Sequence, residues 1–145
     1  MSFDLVGAVK ELVNKEEVMI LATSDGEKVG VRTVSPLLVD GRIIFYTSKG
    51  SNKYRQMETN NNIGFCIGMN GIYQGEGKVK FLGSVFADEN KAINEAYRKK
   101  YVGAFEEGAP GEDMQSNQFI EIELTGLKGW RFEGEVPVEF FEVEI

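Results

Sequence analysis

The sequence predicts an α+β protein, mainly antiparallel β, in which a barrel carries two or three peripheral helices. Three observations lead there. Many short apolar runs are joined by hairpin-type turns, and helical periodicity recurs only two or three times. The strand–helix–strand spacing does not repeat, which tells against a doubly wound parallel sheet. The chain has 145 residues, so a single domain over 1–145 is expected, with no linker or internal repeat.

The elements follow in order. Leu5, Val9, Leu12 and Val13 recur at helical spacing, so 3–14 reads as an amphipathic helix. "VMILAT" (18–23) is a short strand closed by the turn "SDGEK". "VGVRTVSPLLV" (29–39) reads as a second strand in which Pro36 limits pairing or marks an irregularity. Asp40-Gly41 is a hairpin dipeptide leading into "RIIFYT" (42–47). Ile43 to Tyr46 are apolar without alternation, as in a strand covered on both faces. Ser51 is a candidate N-cap for a short helix over 51–60, and "IGFCIG" (63–68) is the next strand. Residues 72–87 include a long strand in which Val79, Phe81, Gly83 and Val85 alternate with Lys78, Lys80, Leu82 and Ser84. Residues 88–102 read as a helix capped by Asp88, and 103–117 as loop. "FIEIEL", "LKGWRF" and "VEFFEVEI" give two or three closing strands.

Composition narrows the chemistry. Hydrophobic residues make up 42% of the chain, which fits a packed core. A net charge of −7 tells against nucleic-acid binding, because phosphate backbones reward a broad basic surface. No run approaches the ~18 apolar residues of a membrane span. The amino terminus has no signal-peptide core, so the cytoplasm is the expected address. Cys66 is alone and sits in the strand-like "NIGFCIG", where a thiol serves as a small buried hydrophobe. The chain contains no histidine, which removes the His base of Ser-His and Cys-His nucleophiles and the imidazole ligands of zinc and haem. No metal site is expected, and any reaction points to a cofactor bringing its own reactivity.

One segment runs against the acidic whole. From Gly41 to Met57 the charged residues are Arg42, Lys49, Lys53 and Arg55, with no acid among them. In "YTSKGSNKYR" a strand ends, a Gly-containing turn follows, and a helix begins near Ser51. Unpaired N–H groups and the helix dipole favour an anion at such a start. Thr47, Ser48 and Ser51 offer hydroxyls, while Lys49, Lys53 and Arg55 offer charge-assisted bonds. The plainer alternative is a solvated basic helix start paired with Glu58 or with distant acids. Arg32, in an otherwise uncharged strand just before the hairpin, favours an anion clamp over that alternative. Adjacent strands lie about 4.8 Å apart, which would bring Arg32 near the end of "FYTSK".

Taken together, "LAT…VRTVSP…GRIIFYTSKGSNKYRQMETNNNIGFCI" resembles the pyridoxamine 5′-phosphate oxidase-like flavoproteins, the FMN-binding split β-barrels. The likeness is strongest over 18–68 and looser beyond, and it is nearest to the general-stress and oxidase-related members. It implies the split form of the barrel and FMN as cofactor. Arg32 and Lys53 would then bind the FMN phosphate, helped by Thr47, Ser48 and Ser51. Thr33 and Val34 would meet the flavin through backbone groups, and Tyr46 and Trp130 would lie near its ring. Gln74 and Lys78 compete for one further contact. The resemblance also implies a homodimer with FMN at the interface, and a small-molecule substrate or nicotinamide donor. The oxidase that makes pyridoxal phosphate holds its substrate with a late Arg and His. Here the end offers Arg131 and no histidine, so that activity is not expected. The expected function is a flavin-dependent oxidoreductase of unassigned substrate. The alternatives are a non-catalytic flavin carrier or redox sensor, or a barrel binding a deazaflavin or a vitamin B6 phosphate.

Overall fold

A computed structural model describes residues 3–69, 72–106 and 114–145. Three helices accompany eight strands: α1 (Leu5–Lys15), β1 (Met19–Ser24), β2 (Val29–Val34), β3 (Leu37–Val39), β4 (Arg42–Ser48), α2 (Asn52–Thr59), β5 (Asn62–Ile67), β6 (Tyr73–Ser84), α3 (Lys91–Lys100), β7 (Asn117–Glu133) and β8 (Val136–Glu144). Every strand pairing is antiparallel. The hydrogen-bonded order is β2-β1-β5-β6-β7-β4-β3, with β8 added to β7.

That order forces the sheet to close. β2 and β3 stand at opposite ends of it, yet only Ser35 and Pro36 separate them in the chain. In a flat sheet, seven strands would place the two ends roughly 29 Å apart. Three peptide units span at most about 11 Å. The sheet therefore curls into a barrel whose seam, between β2 and β3, carries no ladder. This overturns the reading of 29–39 as one strand, and Pro36 marks the break.

α3 closes the seam with side chains. Tyr97 Oη donates to the Ser35 carbonyl at 2.5 Å, and Tyr101 Oη to the Pro36 carbonyl at 2.6 Å. Lys100 Nζ donates to Pro36 O at 2.8 Å, and also to Val13 O at 2.7 Å and Glu16 O at 2.6 Å at the end of α1. One ammonium thus satisfies carbonyls that neither the sheet nor the helix can reach.

Two cores flank β4. Ile43 and Phe45 face the barrel interior with Leu21, Phe65, Ile120 and the α1 residues Leu5, Val9 and Val13. Ile44 and Tyr46 face the other way, toward Leu37, Ile93, Tyr97, Phe105 and Phe119 beneath α3. The apolar run without alternation is thereby explained.

The caps follow local chemistry. Asp4 accepts from Gly7 N at 2.9 Å to start α1, and Ser51 Oγ accepts from Tyr54 N at 3.2 Å to start α2. Asp88 caps nothing, contrary to expectation. It opens a 3-10 turn (Asp88–Asn90), and the buried Asn90 instead donates to Leu82 O and Ser84 O. Asp40 and Gly41 both take positive φ, the geometry of a tight hairpin turn.

The closing strands number two among the described residues, within the two or three expected. Residues 117–133 form one strand rather than two, with β6 along one edge and β4 then β8 along the other. Leu124 pairs Gly77 and Gly126 pairs Glu76, so Thr125 is an extra residue, a bulge. Ile120, Ile122 and Leu124 point inward before it, Leu127 and Gly129 after it. The proposed loop over 103–117 includes residues 107–113, which lie outside the described residues. Among the described residues no helix is long and apolar enough to cross a membrane.

Lys100→Met is expected to cost about 2 kcal/mol in a urea titration, because three carbonyls lose a charged donor together. An unchanged midpoint would show that the seam closes without it.

Candidate functional site

Strand alternation divides the proposed site residues between two faces. On β2, Arg32 and Val34 point inward, while Val29, Val31 and Thr33 are exposed on the outer face. On β1, Thr23 points inward and is only 2% exposed. α2 leaves the end of β4 and packs against β1, which brings Lys53 and Gln56 to Arg32. β2 and β4 are not sheet neighbours, so Arg32 reaches the basic turn through this helix and not across a ladder.

Around Arg32 the partners are all neutral oxygens. Nη1 donates to Thr23 Oγ1 at 2.6 Å and to Gly30 O at 3.1 Å, and Nη2 donates to Gln56 Oε1 at 3.4 Å. Thr23 Oγ1 in turn donates to Gln56 Oε1 at 2.5 Å. Among the described residues no carboxylate lies within ion-pair distance of Arg32 or Lys53. Burial lowers the pKa of both. For Lys53 the positive charge of Arg32 lowers it further. Two half-buried cations therefore stand together without a counter-charge among the described residues.

The hydroxyls of the turn are arranged around the helix start. Thr47 Oγ1 and Ser51 Oγ share a hydrogen bond of 3.0 Å, and Thr47 is buried. Ser48 Oγ bonds Ser116 Oγ at 2.9 Å, which turns it toward the entry of β7. The other cations of the segment are occupied or outside. Arg55 donates to Asn52, Arg42 pairs with Glu121 at 2.8 Å, and Lys49 is exposed.

Four proposed residues lie elsewhere. Val34 is buried in the barrel core. Tyr46 packs edge-on against Tyr97 and Phe105, with ring centroids 5.2 and 4.9 Å apart, beneath α3. Thr33 heads an outer-face row that runs through Ile20 and Cys66 to Gln74. Trp130 lies on the outer side of β7, two residues beyond Lys128, the partner of Gln74, and stacks with Phe140 at 5.4 Å. It lies twelve positions along β7, about 40 Å of strand, from Gln118, the partner of Thr47. Gln74 shares the row of Thr33, whereas Lys78 pairs Asn62 and Glu123 farther along. Ile20, Cys66 and Gln74 line an open groove of about 710 Å³ whose floor includes Gly64 and Gly126. Arg131, the late arginine, is paired with Glu133 at 3.1 Å.

Sequence reasoning missed Thr23 and Gln56. Thr23 ends the "LAT" run on the inward parity of β1, and Gln56 lies one helical turn beyond Lys53, so both positions carried a signal.

The family model for pyridoxamine 5′-phosphate oxidase matches residues 5–131. The chain belongs to the pyridoxamine 5′-phosphate oxidase family. Solved structures repeat the split-barrel fold at low identity. General Stress Protein 26 from Bacillus anthracis aligns with TM-score 0.61 at 15% identity, over 97% of this chain and 100% of that one. An FAD-binding protein from Mesorhizobium loti aligns with TM-score 0.64 at 13% identity, over 86% and 92%. HutZ, a haem storage protein from Vibrio cholerae, aligns with TM-score 0.64 at 12% identity, over 86% and 94%. No curated protein matches the chain significantly. These likenesses place the chain in the split-barrel α+β class, and at such identities they speak for fold alone.

Within that fold the cation pair sets a measurable electrostatic cost. The lowered pKa of Lys53 means that the unfolded chain binds more protons in the window just below 10.5. Its contribution to stability therefore grows as pH rises through that window. Lys53→Met is expected to raise the melting temperature at pH 7 and to flatten this alkaline rise. A lower melting temperature would show that Lys53 is already compensated.

Proposed function

We propose that this chain binds FMN through its phosphate and acts as a flavin-dependent oxidoreductase. The observation that carries the reading is the Arg32–Lys53 pair, half-buried and lacking a carboxylate partner among the described residues. A dianionic phosphate monoester supplies the missing charge, and such charge-assisted bonds are the strong ones. Arg32 and Lys53 would hold the phosphate, with the Thr47–Ser51 hydroxyl pair fixing the start of α2 beside it. Thr33 and Gln74 share a row of the outer face and would meet the remainder of the ligand, while Trp130, far along β7 from the basic turn, would meet it only from a second copy. Bound FMN supplies hydride and single-electron chemistry from its own ring. The chain's part is to anchor the phosphate, orient the ligand and shape access to it.

A second copy of the chain is the proposed cover for the outer face. Val29 and Val31 are 72% and 64% exposed, and Trp130 and Phe140 43% and 46%. Apolar exposure on this scale marks interaction surfaces. Dimerisation would cover it and bring the outer-face residues of one copy toward the other.

A non-catalytic carrier or redox sensor is the second reading. It is favoured by the neutral ring of partners around Arg32, which among the described residues holds no group suited to move a proton. Steady oxidation of NADH or NADPH by the flavin-loaded protein separates enzyme from carrier.

The purified protein mixed with FMN and freed of excess is expected to keep flavin absorption bands. Arg32→Met or Lys53→Met is expected to weaken FMN binding about tenfold or more. Light scattering is expected to give the mass of two chains. Loss of all flavin from the wild type on desalting would overturn the FMN assignment.

A further inference from the structure

The way Arg32 is held points to two further residues of the same site, an inference that rests on the anion-binding reading above. A guanidinium has five N–H donors in a planar fork and two edges that fit an oxyanion. Here the Nη1/Nη2 edge is spent. Nη1 meets Thr23 Oγ1 at 2.6 Å and Nη2 meets Gln56 Oε1 at 3.4 Å. These two acceptors are joined by the 2.5 Å bond from Thr23 to Gln56. The second Nη1 hydrogen goes to Gly30 O at 3.1 Å. Three donors are used, and the Nε/Nη2 edge has no acceptor among the described residues.

We propose that Thr23 and Gln56 are positioning residues that clamp one edge of Arg32 and present its Nε/Nη2 edge to a phosphate monoester. Two features make the pair suited to this. Thr23 is fixed by burial in β1, so the acceptor it offers cannot wander. Gln56 lies on α2, the helix that carries Lys53, so the same bond that orients the guanidinium sets the distance between the two cations. Both partners are neutral. A carboxylate at either place would orient Arg32 equally well but cancel the charge that the ligand needs. The neutral bracket aims the cation without satisfying it.

The test compares FMN with riboflavin, which has the same ring and no phosphate, by fluorescence titration of the full chain. Thr23→Val keeps the side-chain shape and removes the acceptor. It is expected to weaken FMN about tenfold and leave riboflavin unchanged, with Thr23→Ser restoring near-wild-type affinity. Gln56→Glu is expected to raise the melting temperature while weakening FMN about tenfold, because the new carboxylate pairs with Arg32. A merely structural role would move stability and affinity the same way. FMN binding unchanged in Thr23→Val, or equal loss of FMN and riboflavin, overturns the positioning role and leaves the anion site standing. A wild-type chain that binds riboflavin as tightly as FMN, and gains no melting temperature from inorganic phosphate, overturns the anion site itself and this inference with it.

Discussion

Everything in this molecule depends on a connection two residues long. Because Ser35 and Pro36 join the strands at opposite ends of the sheet order, the sheet has to roll up, and its seam between β2 and β3 carries no ladder. Two consequences follow. The carbonyls at the seam need donors that no strand can give, and Tyr97, Lys100 and Tyr101 of α3 provide them. The rolled sheet also brings α2, which leaves β4, against β1 beside β2, so Arg32 on β2 and Lys53 on α2 meet although β2 and β4 are not neighbours. Closure and site geometry are the same fact seen from two sides.

The cation pair runs against the ordinary economy of a fold. Half-buried charges are usually paired or exposed, and among the described residues these have no acidic partner. Elsewhere the chain follows the rule: Arg42 has Glu121 and Arg131 has Glu133. Locally unfavourable electrostatics held in place by a well-packed scaffold is the common signature of a binding site, where the ligand removes a strain the empty protein tolerates. The two apolar cores around β4 are what make that tolerance affordable.

Much of the fold was legible because its signals are local. The Ser51 cap, the Asp40-Gly41 hairpin and the doubly covered run Ile43–Tyr46 are each written in a few adjacent residues. The misreadings have a shared cause. The sequence "VGVRTVSPLLV" alternates and is apolar on both sides of Pro36, so nothing within it says that its halves belong to opposite ends of a sheet. Asp88 has the chemistry of a cap, but Asn90 is tied to β6 and the helix starts later. At the site, the Arg32–Lys53 meeting was expected through the wrong neighbour, because strand order is not a local property. Tyr46 shows the same limit. Its place in the motif drew it toward a ligand, while the parity of β4 turns it beneath α3. Thr23 and Gln56 escaped notice because a neutral residue gains significance only when the charge beside it is known.

The bulge at Thr125 has a consequence of parity. Inward-pointing residues are even-numbered before it and odd-numbered after it, so the bulge decides which way the far half of β7 faces. With it, Leu127 and Gly129 close the core, and Tyr73 lies where a Cβ on Gly129 would sit. Without it, Lys128 and Trp130 would turn toward the interior and Leu127 toward water. The Trp130–Phe140 stack would leave the outer face with them. One residue of backbone registration therefore separates a barrel with an apolar outer arm from one with a charged and crowded core.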